Sequence, residues 1–464
     1  MFGYQRKILV VLCLFCAVAL CRADSISHII QKQKQTKTTF AILAVDAGNG
    51  KTLYQKNAVK PMIPASNMKL ITTAASLHYL GPNYVFQTKI GLLGDSLVVI
   101  GAGDPLLGEP GLDPQDQRSS DRIFDEIISS LKNAGKTSIE DVIIDVSFFD
   151  NNRVHSSWPV EQLNQWYACE VSGLNFYNNC IHVTAERTQN GSGLKMEPAN
   201  SYVHLVNQLQ LISKGSSAVG AYRNSLPNKL LIKGKLNQQT GFDVAIEYPQ
   251  GLFASILSDR LTKAGISIRG RIIQKYVKYD NSINVLKVFE TPISQVWARC
   301  NKNSLGLAAE CLVKTISAEN TEGNINGEWT HGLSLVTRYL NSLDIASGQF
   351  ILDDGSGLSR KNRLSPTVLV TVLRDIYTGN NRDLFFESLA VGGTDGTIYK
   401  YFSQSPYKGN ILGKTGYISG VRSFSGICKT PRGDILFSIL TEGGNGYTRR
   451  CINEITQAIY DGTY

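Results

Sequence analysis

The sequence lacks the patterns that mark several whole classes of protein. It has no low-complexity tract and no short repeat, which excludes low-complexity and repeat architectures. Beyond its N-terminal leader it has no apolar run long enough for a transmembrane helix. Beyond that leader it also has no CxxC or HxxxH spacing, and its six histidines are scattered, so neither a metal site nor a cofactor is expected.

The chain also lacks a cluster of charges of one sign. Its formal net charge is +9, but the basic residues are spread out and no nucleic-acid motif accompanies them, so nucleic acid is not expected as a partner. What the chain does contain is ordinary globular composition, with 42% hydrophobic and 18% charged residues among 464. That length suffices for about two to four domains. The mild basic excess suits an anionic polymer.

The N-terminus has the layout of a secretory signal peptide. Two basic residues precede an apolar run at 8–20, which is too short to span a bilayer comfortably. An A-x-A cleavage site ends at Ala19, and Ala23 offers a later cleavage site. We therefore predict a signal peptide over 1–23 and a mature protein that is exported to the periplasm or cell envelope. It is either soluble there or peripherally attached to a membrane.

The nine cysteines leave two alternatives open. Three lie in the predicted leader, where Cys21 also raises the alternative of lipidation, although the preceding leucine is larger than expected for it. In an oxidising compartment, Cys169–Cys180 and Cys428–Cys451 are plausible disulfides, and buried free thiols are the alternative. The six cysteines of the mature chain are Cys169, Cys180, Cys300, Cys311, Cys428 and Cys451.

Strand patterns at both ends of the chain predict one α/β domain. Residues 38–54 read as a hairpin around a Gly-Asn-Gly turn at 48–50. Near the other end, two strand patterns at 420–430 and 433–442 precede a terminal helix pattern. Because helical patterns lie between the two ends, we expect a single sheet built from both termini with helices against it.

The middle of the chain has a different texture. From about residue 86 to 290, short strand patterns alternate with turns and one amphipathic helix pattern. We predict that 86–290 is an inserted, mostly β region of two subdomains. The flanking segments 24–85 and 291–464 would then form one discontinuous domain.

An SNMK motif at 66–69 has the residue types of a serine nucleophile and its base. Residues three apart share a face at a helix start, so Lys69 can approach the Ser66 hydroxyl, and the helix N-terminus favours a developing oxyanion. A buried lysine has a lowered pKa and can act as a base. Further Ser-x-x-Lys matches begin at Ser129 and Ser405, but only Ser66 follows a Pro-containing loop and opens an apolar helix. A surface helix cap is the alternative interpretation.

A GKTG motif at 413–416 occurs once, just before a strand pattern. Lys414 can supply a cation to a substrate carboxylate and to a proton network. Thr415 can offer a hydroxyl to the same carboxylate. Gly416 lets a substrate backbone lie close to the strand. A plain turn is the alternative.

Between the two motifs, Ser304 can relay a proton between Lys414 and a leaving nitrogen. The order Ser-x-x-Lys, Ser, Lys-Thr-Gly is that of penicillin-binding proteins and class A β-lactamases.

These motifs and longer matching segments resemble the D-alanyl-D-alanine carboxypeptidase/endopeptidases, the low-molecular-mass class C penicillin-binding proteins. The resemblance covers nearly the whole mature chain. It implies an α/β (α+β) penicillin-recognising serine transferase domain, β-lactamase/transpeptidase-like, with a large mostly β insertion after the nucleophile helix. The matching segments are PASNMKLITTAASL, GAGDPLL, DVIIDVSFFD, VSGLNFYNN, NKNSLGLAAECL, DDGSGLSRKNRLSP, GGTDGTI and GKTGYISGVRSFSG.

The resemblance also implies catalytic roles. Ser66 matches the acyl-forming nucleophile and Lys69 its general base. Ser304 and Lys414 match the proton-relay and electrostatic pair. The backbone N–H groups of Ser66 and Tyr417 would form the oxyanion hole.

Further positions match the substrate-binding part of the family pattern. Thr415 would bind the terminal carboxylate of the peptide, beside Gly416. Asp145 matches an acidic position that approaches the free amino end of the peptide side chain, and a strand-end aspartate that caps a turn is its alternative. The turn at 354–357 and Asp395 are interpreted as structural.

One position departs from the family pattern. The third residue of the Ser-x-Asn element is Gly306 here, and the missing asparagine normally contacts the substrate amide and the lysine of the nucleophile motif. Activity is therefore expected to be reduced, or water, Asn301 or Asn303 would supply the hydrogen bonds. The substitution Gly306→Asn is expected to keep or raise acylation of Ser66.

The resemblance implies a serine-type D-Ala-D-Ala carboxypeptidase or D,D-endopeptidase. It would act on peptidoglycan stem peptides and be inhibited by β-lactams as covalent ligands. A catalytically weak or inactive wall-binding or β-lactam-sensing homologue is the alternative that Gly306 keeps open. A β-lactamase is the third interpretation, although the inserted region has no place in a minimal enzyme of that kind.

Overall fold

The structure is a computed structural model that describes residues 25–111, 120–321 and 326–464. The predicted signal peptide and its three cysteines lie outside the described residues. The helices are α1 Ser25–Lys32, α2 Met68–Leu80, α3 Ser120–Asn133, α4 Pro249–Lys263, α5 Ile293–Lys302, α6 Gly306–Glu319, α7 Trp329–Ser342, α8 Pro366–Thr378, α9 Arg382–Glu387 and α10 Thr448–Asp461.

The strands are short and numerous, and they form several sheets. In chain order they are β1 Thr39–Asp46, β2 Thr52–Lys56, β3 Val85–Leu93, β4 Ser96–Ile100, β5 Ser138–Ile139, β6 Val142–Asp145, β7 Cys180–Thr188, β8 Gly191–Glu197, β9 His204–Leu211, β10 Ala218–Tyr222, β11 Lys229–Leu236, β12 Thr240–Ala245, β13 Ser267–Ile268, β14 Ile272–Gln274, β15 Asn284–Pro292, β16 Phe350–Ile351, β17 Arg363–Leu364, β18 Ala390–Val391, β19 Ile411–Ile418, β20 Val421–Thr430 and β21 Gly433–Glu442.

The chain divides into two compact units. Unit 1 contains the described residues up to Asn67 together with Ile345–Ile351 and Asn362–Tyr464. Unit 2 contains Met68–Asp344 and Leu352–Lys361. Both units are discontinuous in sequence.

A six-stranded antiparallel sheet forms the centre of unit 1, in the order β18-β19-β20-β21-β1-β2. The predicted N-terminal hairpin is β1–β2. Strand β1 also pairs along its whole length with β21, with Ala44 opposite Phe437. The expectation of one sheet built from both ends of the chain is therefore confirmed.

The core of unit 1 lies between this sheet and the two terminal helices. Alternate residues of β20 and β21, such as Phe424, Phe437 and Ile439, pack against apolar residues of α10, including Ile452 and Ile455. Burial of this apolar stripe explains why a C-terminal helix with many polar residues folds onto the sheet.

Unit 2 combines helices with several small sheets. A five-stranded sheet has the order β14-β6-β4-β3-β15, and two three-stranded sheets have the orders β10-β11-β9 and β12-β7-β8. Helices α3 and α4 contribute apolar residues to the core of these sheets, and helices α2, α5, α6 and α7 pack on one another. The sequence analysis recognised α3 by its amphipathic pattern and missed α4, whose residues 249–263 are buried around much of the helix.

The six cysteines in the described part of the chain are buried thiols that are not joined in disulfides. Neither suggested disulfide, Cys169–Cys180 or Cys428–Cys451, is formed, and buried free thiols were the second alternative. Cys428 and Cys451 belong to the apolar core of unit 1, where a thiol packs as a small hydrophobic group. Burial raises the pKa of Cys428 above its ordinary value, which disfavours the reactive thiolate.

Candidate active site

The Ser66 hydroxyl is carried by a short turn that leads into α2. Residues Ala65–Asn67 form one turn of 3-10 helix, and α2 continues directly from Met68. Ala65 has a φ of +46°, in the left-handed region that residues with a side chain rarely adopt. Ser66 is half-buried between fully buried neighbours. The candidate nucleophile therefore occupies a strained and rigid helix start.

Two side chains of unit 1 hold the loop that precedes this turn. The backbone N–H of Ile63 donates to Oε1 of Glu442 at 2.7 Å. The hydroxyl of Ser423 donates to the carbonyl oxygen of Pro64, also at 2.7 Å. The loop is thus bonded to the ends of β20 and β21, which fixes the direction from which the chain enters Ser66.

Asn67 fastens the nucleophile turn to the sheet. Its Nδ2 donates to the carbonyl oxygen of Lys414 at 2.7 Å, and its Oδ1 accepts from the hydroxyl of Ser425 at 2.6 Å. Ser425 in turn lies 2.9 Å from the hydroxyl of Ser438, oxygen to oxygen. Since Asn67 is fully buried and uses both polar ends of its amide, its orientation is determined by these bonds. The sequence analysis missed this residue, although it stands inside the SNMK motif.

The GKTG motif lies within β19, in the sheet rather than in a turn. Lys414 is fully buried, and its Nζ donates to the carbonyl oxygen of Thr415 at 2.9 Å. The Thr415 hydroxyl donates to the hydroxyl of Thr397 at 2.8 Å. The plain-turn alternative for this motif is therefore wrong.

Gly416 is required by a close approach of protein backbone. A Cβ at this position would lie 2.9 Å from the backbone nitrogen of Ser66 and 2.9 Å from the carbonyl oxygen of Pro64, and it would overlap the hydroxyl of Ser423. Any side chain here would push the nucleophile turn off the strand. The structure thereby brings the Ser66 N–H against the strand that carries Lys414.

Tyr417, the next residue of β19, exposes most of its side chain. The ring is 62% exposed, and the guanidinium of Arg422, its partner in β20, lies 4.2 Å from the ring centroid. The side chain is therefore a surface feature, and only the backbone of this residue belongs to the predicted oxyanion site.

Lys69 is buried in unit 2, on the first turn of α2. Its Nζ donates to the carbonyl oxygen of Ser356 at 2.7 Å. Burial lowers the pKa of Lys69 below its ordinary value, and nearby Cys300, Glu310 and Asp354 oppose that shift. A lysine with a depressed pKa supplies the neutral amine that a general base requires.

Glu310 on α6 is a buried acid that the sequence analysis did not single out. Its Oε1 accepts from the N–H of Ser356 at 2.7 Å, and its Oε2 accepts from the N–H of Gly355 at 3.0 Å and from Nε1 of Trp329 at 2.8 Å. Burial, together with the charge of Asp354, raises the pKa of Glu310 to about 7. The peptide groups of the turn beside Lys69 are therefore held by a carboxylate that titrates near neutral pH.

Asp354 completes this turn from within. Its carboxylate accepts from the N–H groups of Gly357 and Ser359 at 2.7 and 2.6 Å, and from Nε1 of Trp158 at 3.0 Å. All of these contacts are structural, as the sequence analysis expected for this segment. Asp395 behaves similarly, since its Oδ1 accepts from the N–H of a residue four positions earlier at 2.8 Å.

Ser304 lies in the short connection between α5 and α6. Its φ is +64°, again in the left-handed region. The following residue, Leu305, donates its N–H to the carbonyl oxygen of Arg299 at 3.2 Å, and α6 begins at Gly306. A strained serine between two helix ends has a defined position, as a proton relay would need.

Gly306 is itself required by packing, which corrects an expectation from the sequence. A Cβ at this position would lie 2.9 Å from the backbone carbonyl oxygen of Tyr167. A backbone atom cannot swing aside as a flexible side chain can, so the expectation that Gly306→Asn keeps or raises acylation is not supported. The protein has packed a second chain segment where the family pattern has an asparagine side chain.

Asp145, at the end of β6, caps a turn. The residue is 1% exposed. Its Oδ1 accepts from the N–H of Ser147 at 2.9 Å, and its Oδ2 accepts from the N–H groups of Val277 and Lys278, both at 2.7 Å. With three backbone donors on one buried carboxylate, the structural alternative for this residue is favoured over contact with a peptide amino group.

The candidate residues are distributed over both units. Ser66 and Lys414 belong to unit 1, where the structure brings their backbones together through Asn67, whereas Lys69 and Ser304 belong to unit 2. The described residues contain no group of three or more His, Cys, Asp or Glu side chains placed to hold a metal ion. Likewise, no helix in the described part of the chain is both long and apolar enough to cross a membrane.

The sheet is antiparallel and is formed by both ends of the chain. Ser66 precedes a buried helix and lies against the strand that carries the Lys-Thr-Gly motif. These features define a penicillin-recognising serine enzyme. A crystal structure of penicillin binding protein 4 (dacB) from Haemophilus influenzae has a TM-score of 0.79 at 21% identity, covering 94% of this chain and 99% of that one. A second crystal structure of the same protein, complexed with a β-lactam, has a TM-score of 0.75 at the same identity and coverage. These similarities confirm the predicted fold class.

Sequence comparison identifies the family. The D-alanyl-D-alanine carboxypeptidase of Actinomadura sp. (strain R39) is 26% identical over 450 residues, which cover 91% of this chain and 81% of that protein. The D-Ala-D-Ala carboxypeptidase 3 (S13) family model matches residues 22–459. The chain belongs to this family, and the predicted activity, that of a serine-type D-Ala-D-Ala carboxypeptidase, is confirmed.

Proposed function

We propose that Ser66 is the nucleophile with which this enzyme removes the last D-alanine from peptidoglycan stem peptides, and that the same site cuts D-alanyl cross-links as a D,D-endopeptidase. The observation that carries this proposal is the buried amine of Lys69, whose pKa is lowered by burial and which stands three residues after Ser66 at a helix start. The proposal assigns to each remaining site residue a step that its chemistry permits.

Acylation begins when the neutral amine of Lys69 accepts the proton of the Ser66 hydroxyl. The Ser66 oxygen then attacks the carbonyl carbon of the penultimate D-alanine. The negative charge that develops on the carbonyl oxygen is stabilised by the backbone N–H groups of Ser66 and Tyr417. The close contact of Gly416 with the nucleophile turn supports this assignment, because it holds the Ser66 N–H beside β19.

Collapse of the tetrahedral intermediate breaks the C–N bond and needs a proton on the leaving nitrogen. Ser304 donates that proton and is resupplied through Lys414 and Lys69. A water molecule then attacks the ester carbonyl and gives up a proton to Lys69, Lys69 returns a proton to the leaving Ser66 oxygen, and the stem peptide is released with a free carboxylate. A carboxypeptidase substrate loses D-alanine, and a cross-linked substrate loses the neighbouring stem through the same atoms.

The substrate carboxylate lies at β19 in this proposal. The hydroxyl of Thr415 and the positive charge of Lys414 bind it, and the backbone beside Gly416 and Tyr417 receives the peptide. A β-lactam, whose carboxylate and strained amide occupy the same positions, acylates Ser66 and blocks it. The position of Lys414 and Thr415 in β19 supports this arrangement, because it places both residues directly before the backbone of Gly416 and Tyr417.

The setting of the reaction follows from the substrate. We infer that residues 1–23 direct the protein out of the cytoplasm and that it works in the periplasm or cell envelope, where its polymer is found. Segments 24–85 and 291–464 would be the catalytic domain, with 86–290 as the inserted region. Because Gly306 replaces the asparagine of the family pattern, one alternative remains: a catalytically weak homologue that binds the cell wall or senses β-lactams.

Labelled penicillin tests the nucleophile. The mature protein is incubated with the drug, and the modified peptide is identified by mass spectrometry. A stable adduct on Ser66 is expected, and it should disappear in Ser66→Ala. The variants Ser129→Ala and Ser405→Ala, at two other Ser-x-x-Lys matches, are matched controls that should keep it. An unmodified Ser66, or an adduct on another serine, would refute the assignment.

A second measurement separates the two activities. A stem peptide that ends in D-Ala-D-Ala and a purified cross-linked dimer are digested by the same enzyme sample. Loss of D-alanine from the first and appearance of monomers from the second are expected, both abolished by Ser66→Ala. A stable penicillin adduct without any turnover of either substrate would instead favour the β-lactam-sensing alternative, and rapid release of hydrolysed drug would favour a β-lactamase.

A further inference from the structure

A cavity of about 330 Å³ opens in unit 2, apart from the residues assigned to catalysis. Its size falls in the range of small-molecule binding sites, roughly 300–1,000 Å³. Its wall combines aromatic, apolar and acidic side chains. Those that bear on its chemistry are Trp166, Tyr177, His182, Glu197, Asp243 and Leu305.

Three of these side chains form a row across the β12-β7-β8 sheet. His182 on β7 pairs directly with Asp243 on one neighbouring strand and with Glu197 on the other, so all three lie on one face. Nδ1 of His182 is 2.7 Å from Oδ1 of Asp243. Within the described chain, no hydrogen bond or ion pair is recorded for the Glu197 carboxylate, although it lines the cavity. The row therefore offers hydrogen-bond acceptors to a ligand.

Aromatic rings lie beside this row. Trp166 is 40% exposed, which is unusual for the largest hydrophobic side chain. Burial, with the nearby charges of Glu197 and Asp243, raises the pKa of Tyr177, so its hydroxyl remains a neutral donor near the two carboxylates. The cavity thus has a flat apolar surface next to a polar edge.

The cavity shares its wall with the loop that carries the proposed proton relay. Leu305, which lines it, directly follows Ser304. Tyr167 is the neighbour of Trp166, and its carbonyl oxygen would lie 2.9 Å from a Cβ placed at Gly306. A polymer segment bound in the cavity would therefore lie next to the chain segment from which catalysis is proposed to draw a proton.

We propose that this cavity binds one sugar ring of a glycan strand. A pyranose has an apolar face of C–H groups that stacks on Trp166, and hydroxyl donors at its edge that reach the carboxylates of Glu197 and Asp243. A simple ammonium group would use the carboxylates and the indole face but would leave the Leu305 wall without a partner. The inference rests on the proposed function, because the glycan strand is the polymer that carries the stem peptides.

Binding of tri-N-acetylchitotriose, an uncharged aminosugar oligomer without a stem peptide, tests the inference. Affinity is measured by calorimetry and by tryptophan fluorescence on the mature protein. We expect saturable binding that Trp166→Ala weakens by about tenfold or more and Glu197→Gln weakens several-fold. The matched controls are Tyr222→Ala, which removes another exposed ring of unit 2, and Glu186→Gln, which removes a β7 carboxylate paired with Lys195. Both should bind as the wild type does.

The same samples are acylated with labelled penicillin, which shows that each variant is folded and keeps the two proposals separate. Absence of chitotriose binding to an enzyme that acylates normally would overturn the sugar site alone. Equal binding by Trp166→Ala and the wild type would overturn it as well. So would preferential, Glu197-dependent binding of Nα-acetyl-lysine, which would make the cavity a site for an amino group. Chitotriose binding by a protein that penicillin does not acylate would count against the proposed nucleophile only.

Discussion

The ammonium nitrogen of Lys69 donates a 2.7 Å hydrogen bond to the carbonyl oxygen of Ser356, and the N–H of that same Ser356 is held at 2.7 Å by Glu310. The neighbouring carbonyl, of Gly355, accepts from the hydroxyl of Thr72 on α2 at 2.7 Å. Both sides of this turn are therefore bonded, one to the helix of the base and the other to a buried acid. The position and basicity of Lys69 depend on a residue that never needs to touch the substrate.

Glu310→Gln should shift the pH dependence of acylation. The ionised carboxylate raises the pKa of Lys69, so its removal lowers that pKa further and makes the neutral amine available at lower pH. We expect the acidic limb of the acylation rate, measured with labelled penicillin across pH, to move down by roughly one pH unit. The maximal rate should also fall, because the amide cannot accept all three hydrogen bonds of the acid.

Glu319→Gln is the control for this prediction. Glu319 ends the same helix, is exposed, and accepts only from the hydroxyl of Tyr84 among the described residues. Its substitution should leave the pH profile in place. A Glu310→Gln enzyme with an unshifted acidic limb would show that the charge of Glu310 does not reach Lys69.

Gly306→Asn should destabilise the protein and slow acylation. The added Cβ lies 2.9 Å from the carbonyl oxygen of Tyr167, and relieving such overpacking costs roughly 1–3 kcal/mol. Thermal unfolding and the acylation rate are both measured. Gly306→Ala should share the loss of stability, whereas Gly348→Ala, at a glycine with open space around it, should not. Faster acylation by a fully stable Gly306→Asn would restore the interpretation drawn from the sequence alone.

Asn67→Ala should uncouple the nucleophile turn from the sheet. The change removes the buried donor of the Lys414 carbonyl, at a cost of roughly 1–3 kcal/mol, and leaves the hydroxyl of Ser425 to bond with Ser438. We expect a lower melting temperature together with a loss of penicillin acylation well beyond the loss of folded protein. The buried variant Ser388→Ala, which removes a hydroxyl bonded at 2.6 Å to the carbonyl of Phe385, serves as a stability control that should acylate normally.

Asp145→Asn should reduce stability and leave substrate affinity unchanged. The amide nitrogen would face a backbone donor, either that of Ser147 or those of Val277 and Lys278, at a cost of roughly 1–3 kcal/mol. The free energy of unfolding is measured by chemical denaturation, and KM is measured with a stem peptide that has a free side-chain amine. Both values are compared with those of Asp125→Asn, which changes an exposed residue of α3. A raised KM with an unchanged free energy of unfolding would contradict this prediction and show that Asp145 contacts the substrate.

Much of the site could be predicted because its parts are local. The SNMK and GKTG motifs place a serine, a lysine and a strand glycine by sequence spacing alone, and the family pattern extends over the chain. Sequence spacing could not predict that Lys414 lies inside a buried strand or that Gly416 contacts Ser66. They depend on how β19 packs against the nucleophile turn, which is a long-range contact.

Other residues were missed, or could not be assigned from the sequence, for the same reason. Gly306 was judged by the side chain it lacks, whereas its role is set by Tyr167, which is 139 positions earlier in the chain. Asp145 was matched to a substrate position, with a turn cap as the alternative, and only the structure shows that its carboxylate accepts from the backbone N–H groups of Ser147 and of the loop residues Val277 and Lys278. Glu310 looked like one acid among many in a helix, and only its buried hydrogen bonds distinguish it.

The sequence by itself determined the family, the nucleophile motif and the sheet built from both chain ends, because residue identities and short periodicities carry that information. The tertiary structure alone decided which glycines are obligatory, which carboxylates cap turns and which acid holds the turn beside Lys69. Those properties arise from burial and from hydrogen bonds between segments far apart in sequence. Neither composition nor spacing records them.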